Sequence, residues 1–366
     1  MPSLSLNDLR RHAVARSLFA PTSLDEAVQR LGGFVQADPL RAPARAQDLT
    51  LRHRVRSYRV GDLERRYPRS GLQEDFFVNY GFVTPGLRAL MHPRRARRTW
   101  DRTRQRQAEE VLAVVAALGE AHPAAVDAAL GHGKVKNWFG GDSRLSTELL
   151  DDLHYRGQLD VVRRDQGTRV YALAAPWTPP ADPQAAMDAL ADALVQKYAP
   201  LPAATLSQLI FMLYAAAYQW VDLRKATLTR AKQRLAQARV DGTDWFWPDH
   251  ESPAEGWRIP SRVRLLAPFD PVVWDRRRFE RLWGWAYRFE AYTPAAKRVR
   301  GHYALPLLWR DRVIGWGNLK WRDGALRAEL GYASGHAPRE PGYADALQQE
   351  LDRFTTFMTP TSAPRP

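Results

Sequence analysis

The segment 104–175 constrains the fold most, because its pattern leaves few alternatives. A helix over 104–118 is followed by His122-Pro123, which opens a second helix with proline in its first turn. Gly131, Gly133, Gly140 and Gly141 make a loop. A third helix over 145–155 carries Leu145, Leu149, Leu150 and Leu153 on one face, with Gly157 as its stop. Extended segments at 159–164 and 169–173 flank the turn Asp165-Gln166-Gly167, whose glycine supplies the positive φ a tight hairpin needs. Three helices closed by a β-hairpin is the winged-helix pattern. Arg163, Arg164 and Arg169 stand where wing residues stand. Such modules bind nucleic acid or serve as protein-interaction modules.

Charge weighs toward nucleic acid. The 366-residue chain has 54 lysines and arginines against 40 aspartates and glutamates, a formal net charge of +14. Seven of those cations are lysine and 47 are arginine. A GC-rich genome enriches arginine by itself, yet guanidinium forks also suit phosphates and base edges. A chain this basic expects a polyanionic partner. The absence of cysteine excludes a disulfide scaffold, a thiolate nucleophile, a zinc finger and an iron–sulfur cluster. No Walker A or G-x-G-x-x-G motif occurs, and His122, His132 and His154 lack metal-ligand spacing. No cofactor and no metal are expected. The start of the chain lacks the basic-then-apolar pattern of a signal peptide. The most apolar stretch, 206–221, carries Ser207, Gln208 and Gln219 and is shorter than the ~20 residues a membrane span needs. The expectation is a cytoplasmic protein with no membrane partner.

The rest of the chain divides around the central module. A helix over 6–19 precedes a short one opened by the capping pair Ser23 and Glu26 and ended by Gly32 or Gly33. An extended segment, 34–38, and a basic helix from Pro43 to about residue 58 follow. After the proline-rich linker 176–183 comes a helical block, 183–240, whose last helix carries Arg224, Lys225, Arg230, Lys232 and Arg234; 245–257 would be its wing. From 262 onward, strands are expected at 263–274, 286–292, 301–309, 313–320 and 325–330, then a helix at 343–357. The expected fold class is α+β: tandem winged-helix (helix-turn-helix) domains followed by a small C-terminal β-barrel-like domain. The expected domains are 1–103, 104–178, 183–261 and 262–366.

Gln36-Ala37-Asp38 is the candidate catalytic motif. On a strand, Gln36 and Asp38 project from one face, ~6–7 Å apart at the backbone. An amide and a carboxylate at that spacing can hold one water for hydrolytic attack. The bland alternative is that Asp38 ends the strand and caps a helix after Pro39. The first lysine in the chain is Lys134, so no lysine lies near the motif in sequence and a lysine-dependent lyase step is not expected. Two basic clusters flank the motif: Arg41, Arg45, Arg52, His53, Arg54 and Arg56, then His92, Arg94, Arg95, Arg97, Arg98, Arg102 and Arg104. Each is either a solvated helix face or a phosphate-contacting one. The loop 292–301 sets Tyr292 and Pro294 beside Lys297, Arg298 and Arg300. A loop of this kind can press into a groove and touch phosphate. The sequence leaves open whether His53, Glu74 or Asp75 joins the site.

Three stretches together resemble a known family. Gly33-Phe34-Val35-Gln36-Ala37-Asp38-Pro39 is similar to the Gln-Φ-Gln / Gln-Φ-Asp signature of the crosslink-repair DNA glycosylases, the YcaQ/AlkZ-like winged-helix family. Leu265-Leu266-Ala267-Pro268-Phe269-Asp270-Pro271-Val272-Val273-Trp274-Asp275-Arg276 and the stretch 287–298 resemble that family's C-terminal hallmark. The resemblance implies tandem winged helices with a β-barrel. It also implies monofunctional hydrolysis of the N-glycosidic bond of alkylated purines in double-stranded DNA, including unhooking of interstrand crosslinks. Gln36 and Asp38 map onto the catalytic pair, in the Gln-Φ-Asp branch. Ala37 is smaller than the usual bulky residue, and the segment 39–45 departs from the family pattern; both bear on lesion preference. The rival readings are a winged-helix transcription regulator without catalysis and a protein-interaction scaffold. A monomer favours the repair enzyme, since regulators usually need two-fold symmetry.

Overall fold

In the computed structural model, which describes residues 4–95, 99–131, 134–136 and 142–359, the first helix, Leu6–Ser17, is set by its cap. The Ser5 hydroxyl accepts from the Asp8 N–H and the Asp8 carboxylate accepts from the Ser5 N–H, a complete capping box. Ser23 caps Leu24–Arg30 by accepting from the Glu26 N–H. Glu26 does not close a second box; its carboxylate takes the Thr22 hydroxyl instead. Gly32 (φ +70°) then turns the chain into the strand Phe34–Gln36. A Cβ there would stand 2.2 Å from the Ala193 carbonyl oxygen, so only glycine fits.

The chain groups into two compact units: Met1–Leu63 with Asp192–Ile210 and Leu228–Pro366, and Glu64–Ala191 with Phe211–Thr227. In the first unit, the basic helix expected from Pro43 to residue 58 is only Ala46–Leu51. Beyond it the Arg54 carbonyl and the Arg56 N–H bond to Thr22 instead of to the next turn of a helix. The helical block expected to reach Val240 stops at Arg234, and Ala236–Val240 pairs with Thr243–Trp247 as a hairpin. Leu201–Pro202 extends that hairpin to three strands.

The C-terminal part of this unit is a four-stranded antiparallel sheet of Val263–Leu265, Leu305–Trp309, Arg312–Arg322 and Ala325–Tyr332, in that order. Among the described residues its order is linear, not a ring. The expected strand 263–274 is three residues long because Pro268 and Pro271 lack ladder donors. There the chain coils around Asp270, whose carbonyl accepts from Val273 and Trp274. Residues 286–292 form no strand; Trp285, Tyr287 and Phe289 are held by ring contacts instead. The helix Arg276–Trp283, capped by Asp275, was not expected. Arg310 and Asp323 take positive φ in the two expected turns, and Tyr343–Met358 is the final helix. One core cluster joins Val14 and Leu18 to Leu266, Val272, Val273, Phe279, Tyr287 and Leu308.

The second unit contains the expected order of three helices and a hairpin. Arg102–Leu118, Pro123–Leu130 and Leu145–Tyr155 are helices, and Leu159–Asp165 with Thr168–Leu173 is the hairpin. Asp101 and His122 cap the first two. Gln166 and Gly167 both take positive φ in the hairpin turn. Val111, Val115, Val126, Leu149, Leu150 and Leu153 share one core with Val161 and Tyr171. The glycine loop contains a short antiparallel pair, Lys134–Lys136 with Asp142–Arg144. His132, Gly133, Gly140 and Gly141 lie outside the described residues, as do Arg97 and Arg98. A second hairpin, Gln73–Phe76 with Tyr80–Val83, belongs to this unit.

Candidate active site

Gln36 ends its strand nearly buried, and its Oε1 accepts from the Trp274 indole N–H at 3.0 Å. Indole nitrogen only donates, so this contact fixes which end of the Gln36 amide faces Trp274. Asp38 lies two residues past the strand end, half-buried. Its N–H donates to Gln47 Oε1 at 3.2 Å, and its Oδ1 accepts from the Leu40 N–H at 2.8 Å. The carboxylate therefore closes a turn; no helix follows Pro39 for it to cap. No donor reaches Oδ2 among the described residues. Burial raises the Asp38 pKa above the ordinary value, only partly offset by the Leu40 N–H.

The long hallmark stretch 265–276 supports this motif. Trp274 holds Gln36. Asp270, fully buried, binds the Arg54 guanidinium with both oxygens, at 2.7 and 3.0 Å. Asp275 accepts from the N–H groups of Arg277 and Arg278 and from the Thr205 hydroxyl. Tyr303 is a further residue that the sequence did not single out. Its hydroxyl is buried without a hydrogen-bond partner. Burial first, and the Asp38 charge second, hold its pKa well above the ordinary value, so it remains an O–H donor near that carboxylate.

Tyr303 also lines a cleft of about 740 Å³, together with Arg41, Arg298, Arg300, Lys320 and Arg322. The 292–301 loop forms one wall, and Glu290 shapes it. The Glu290 carboxylate accepts from the N–H groups of Val299, Arg300 and Gly301 at 3.1, 2.8 and 3.2 Å. Burial pushes its pKa up, and these donors more than reverse that. Arg298 donates to the Thr293 carbonyl, and the Arg300 guanidinium stacks 4.7 Å from the Trp285 ring centre. Tyr292 and Val299 are 78% and 77% exposed, an unusual state for apolar side chains on an ordered loop.

Several residues expected to touch DNA are core ion pairs. Arg54 is fully buried against Asp270. The Arg52 side chain is buried on Glu350 and the Leu265 carbonyl. His92 and Arg94 converge with Arg88 on buried Asp75 at 2.7, 2.9 and 2.8 Å. Burial pushes the Asp75 carboxyl up, but Arg94, His92 and Arg88 hold it well below its ordinary range. Arg164 forks onto Glu74 at 2.8 and 2.6 Å. A cluster of cations in sequence does not reveal which of them meet a carboxylate folded in from elsewhere. Arg163 is exposed yet paired with Glu120 at 2.9 Å. His53 is half-buried against the Leu265 carbonyl. Arg41, Arg95 and Lys297 are exposed, and Arg45, Arg298 and Arg300 half-buried.

Proximity in sequence also misled about lysine. Lys197 reaches the motif strand from 163 residues away and donates to the Phe34 carbonyl. Burial, with Arg54 adding to it, pulls its pKa down to about 7. The residue is nevertheless only 3% exposed. Among the described residues no group of side chains has the makings of a metal site, and no helix is long and apolar enough to cross a membrane.

Comparison with known proteins identifies the family and the fold. A family model described as DNA glycosylase AlkZ-like matches residues 28–357. Among solved structures, the DNA glycosylase AlkZ of Streptomyces sahachiroi shares the fold, with a TM-score of 0.64 and 17% sequence identity over 97% of each chain. A match over this much of the chain sets aside the regulator and scaffold readings: the protein belongs to the AlkZ-like DNA glycosylase family and is a DNA glycosylase.

Proposed function

We propose that this glycosylase acts as a monomer on double-stranded DNA, hydrolysing the N-glycosidic bond of N7- or N3-alkylated purines and unhooking interstrand crosslinks. The observation that carries the assignment is Asp38: a half-buried carboxylate with one oxygen lacking a donor, whose charge acts on Tyr303, a residue that lines a cationic cleft. An alkylated purine is already cationic and leaves with the glycosidic electron pair as a neutral base. The enzyme must then stabilise positive charge on the sugar and deliver water to C1′. Asp38 faces the oxocarbenium-like sugar and takes the proton of the attacking water. Gln36, oriented by Trp274, positions that water.

Exposed Arg41 and Lys297 with half-buried Arg298 and Arg300 are the proposed phosphate contacts. Tandem winged-helix modules at 1–103, 104–178 and 183–261, with the C-terminal β-domain at 262–366, are the proposed frame that holds the duplex. A crosslinked base cannot swing fully into a tight pocket, and an open cleft suits it better. The reading is monofunctional because Lys197, although close in the fold, is buried.

The test is base release from duplexes carrying N7-alkylguanine or an interstrand crosslink, scored as alkali-labile sites. Release should collapse in Asp38→Asn and Gln36→Ala while DNA affinity holds, and borohydride should trap no covalent complex. No release from either substrate, or a trapped adduct lost in Lys197→Met, overturns the assignment.

A further inference from the structure

A second cavity in the first unit has its own chemistry. It encloses about 460 Å³ and shares no lining residue with the Asp38-side cleft. Its floor is Arg264, on the strand Val263–Leu265. Val263 and Leu265 point into the core, so Arg264 projects from the opposite face. Arg264 is 6% exposed, and its Nη1 has no hydrogen-bond partner. Beside it, Arg52 is bound through Nη2 to Glu350 and to the Leu265 carbonyl, while its buried Nε also lacks an acceptor.

The rim adds Arg56, Arg59, Arg262 and Arg353. Two carboxylates line the same cavity. Glu350 is fully engaged by Arg52, Arg353 and the Leu265 N–H, and Asp352 sits exposed at the edge. Six arginines against two carboxylates leave a strongly positive field, and the neighbours register it. Burial and the Arg52, Arg264 and Arg54 charges drive the His53 pKa well below its ordinary value. His53 is therefore neutral and adds no charge of its own.

A buried guanidinium nitrogen without an acceptor is costly to fold unless an acceptor arrives. The acceptor that suits converging guanidinium forks is a phosphate oxyanion. We propose that this cavity is an oxyanion site, separate from the Asp38 cleft, that takes a phosphate group on Arg264 and Arg52 with Arg56 and Arg262 closing over it. The shared chemistry is a phosphate ester or anhydride, supplied either by the DNA backbone or by a free polyphosphate. The site goes beyond the proposed glycosylase reaction and does not depend on it.

The probe is inorganic pyrophosphate, titrated calorimetrically into the full chain. Wild type should bind it, and the exposed-rim double variant Arg56→Ala/Arg262→Ala should bind about tenfold more weakly, the loss of roughly one charge-assisted contact. Arg264→Met should weaken binding further. The rim variant keeps the test alive if burying methionine there impairs folding. Arg41→Ala, in the other cleft, should leave pyrophosphate affinity unchanged. Competition by undamaged duplex would assign the site to backbone phosphate; undiminished pyrophosphate binding at saturating duplex would assign it to a free polyphosphate. No pyrophosphate binding, or a loss that follows Arg41 and not Arg56 and Arg262, overturns the site. Asp38→Asn separates the two readings, because it removes base release without touching pyrophosphate affinity.

Discussion

The hydrogen bond from the Trp274 indole to the Gln36 amide can be removed cleanly. Trp274→Phe keeps the ring and deletes the donor. Losing one such bond is worth ~1 kcal/mol, so kcat for base release should fall roughly five- to tenfold with the DNA Kd unchanged; an unchanged kcat would mean Gln36 needs no orientation. In the proposed mechanism Asp38 sets the pH profile. Burial raises its pKa, and only its ionised form can accept a proton, so the acidic limb of kcat should lie at higher pH than an ordinary aspartate would give. A limb at the ordinary value, read from single-turnover rates, would remove Asp38 as the base. Gln36 and Asp38 were legible as candidates because three adjacent residues carry the signature. Trp274 and Tyr303 were not, because they approach the motif from the far end of the chain: 238 residues separate Trp274 from Gln36. Trp274 lies within the stretch that resembles the family's C-terminal hallmark, but nothing in that stretch singles out its indole N–H as the partner of Gln36.

Among the elements, the helices and hairpins of 102–173 were readable because caps, apolar spacing and turn glycines all agree locally. The strands after 262 were misread where prolines and a buried aspartate bend the chain, since alternation alone cannot tell a ladder from packed aromatics. Two elements carry tests. The 292–301 loop is held by Glu290, whose carboxylate takes three backbone N–H groups. Glu290→Gln keeps the shape and removes the charge that strengthens those bonds. DNA affinity should weaken roughly three- to tenfold, about 1 kcal/mol, and an unchanged Kd would remove the loop from the interface. The motif strand is pinned by Lys197, whose pKa is about 7 when folded against an ordinary 10.5. Between those values the unfolded chain holds a proton that the folded chain lacks, so this residue makes stability rise with pH, by at most ~1.4 kcal/mol per unit. Lys197→Met should flatten that rise in urea titrations between pH 7 and pH 10; equal slopes would mean that Lys197 stays charged in the fold.

For the molecule as a whole, the +14 charge indicated a polyanionic partner but not which cations meet it. Arg54, Arg88, Arg94, Arg264 and Arg278 and the side chain of Arg52 are buried, while Arg41, Arg95 and Lys297 are exposed. The sequence shows both groups as the same kind of run, because the burying carboxylates Asp75, Asp270 and Glu350 stand elsewhere in the chain. The distinction has a thermodynamic signature. Each phosphate neutralised by an accessible cation adds ~0.9 to the slope of log Kd against log salt on duplex DNA. Arg41→Ala and Lys297→Ala should each lower that slope by about one. Arg163→Ala should lower it less, because Arg163 already pairs with Glu120 at 2.9 Å and gives up that partner to reach a phosphate. Fluorescence anisotropy on an undamaged duplex across a salt series measures all three. Slopes that do not move with Arg41 and Lys297 would place the duplex away from the Asp38-side cleft. An equal drop for Arg163 would show that its surface ion pair opens on binding at little cost.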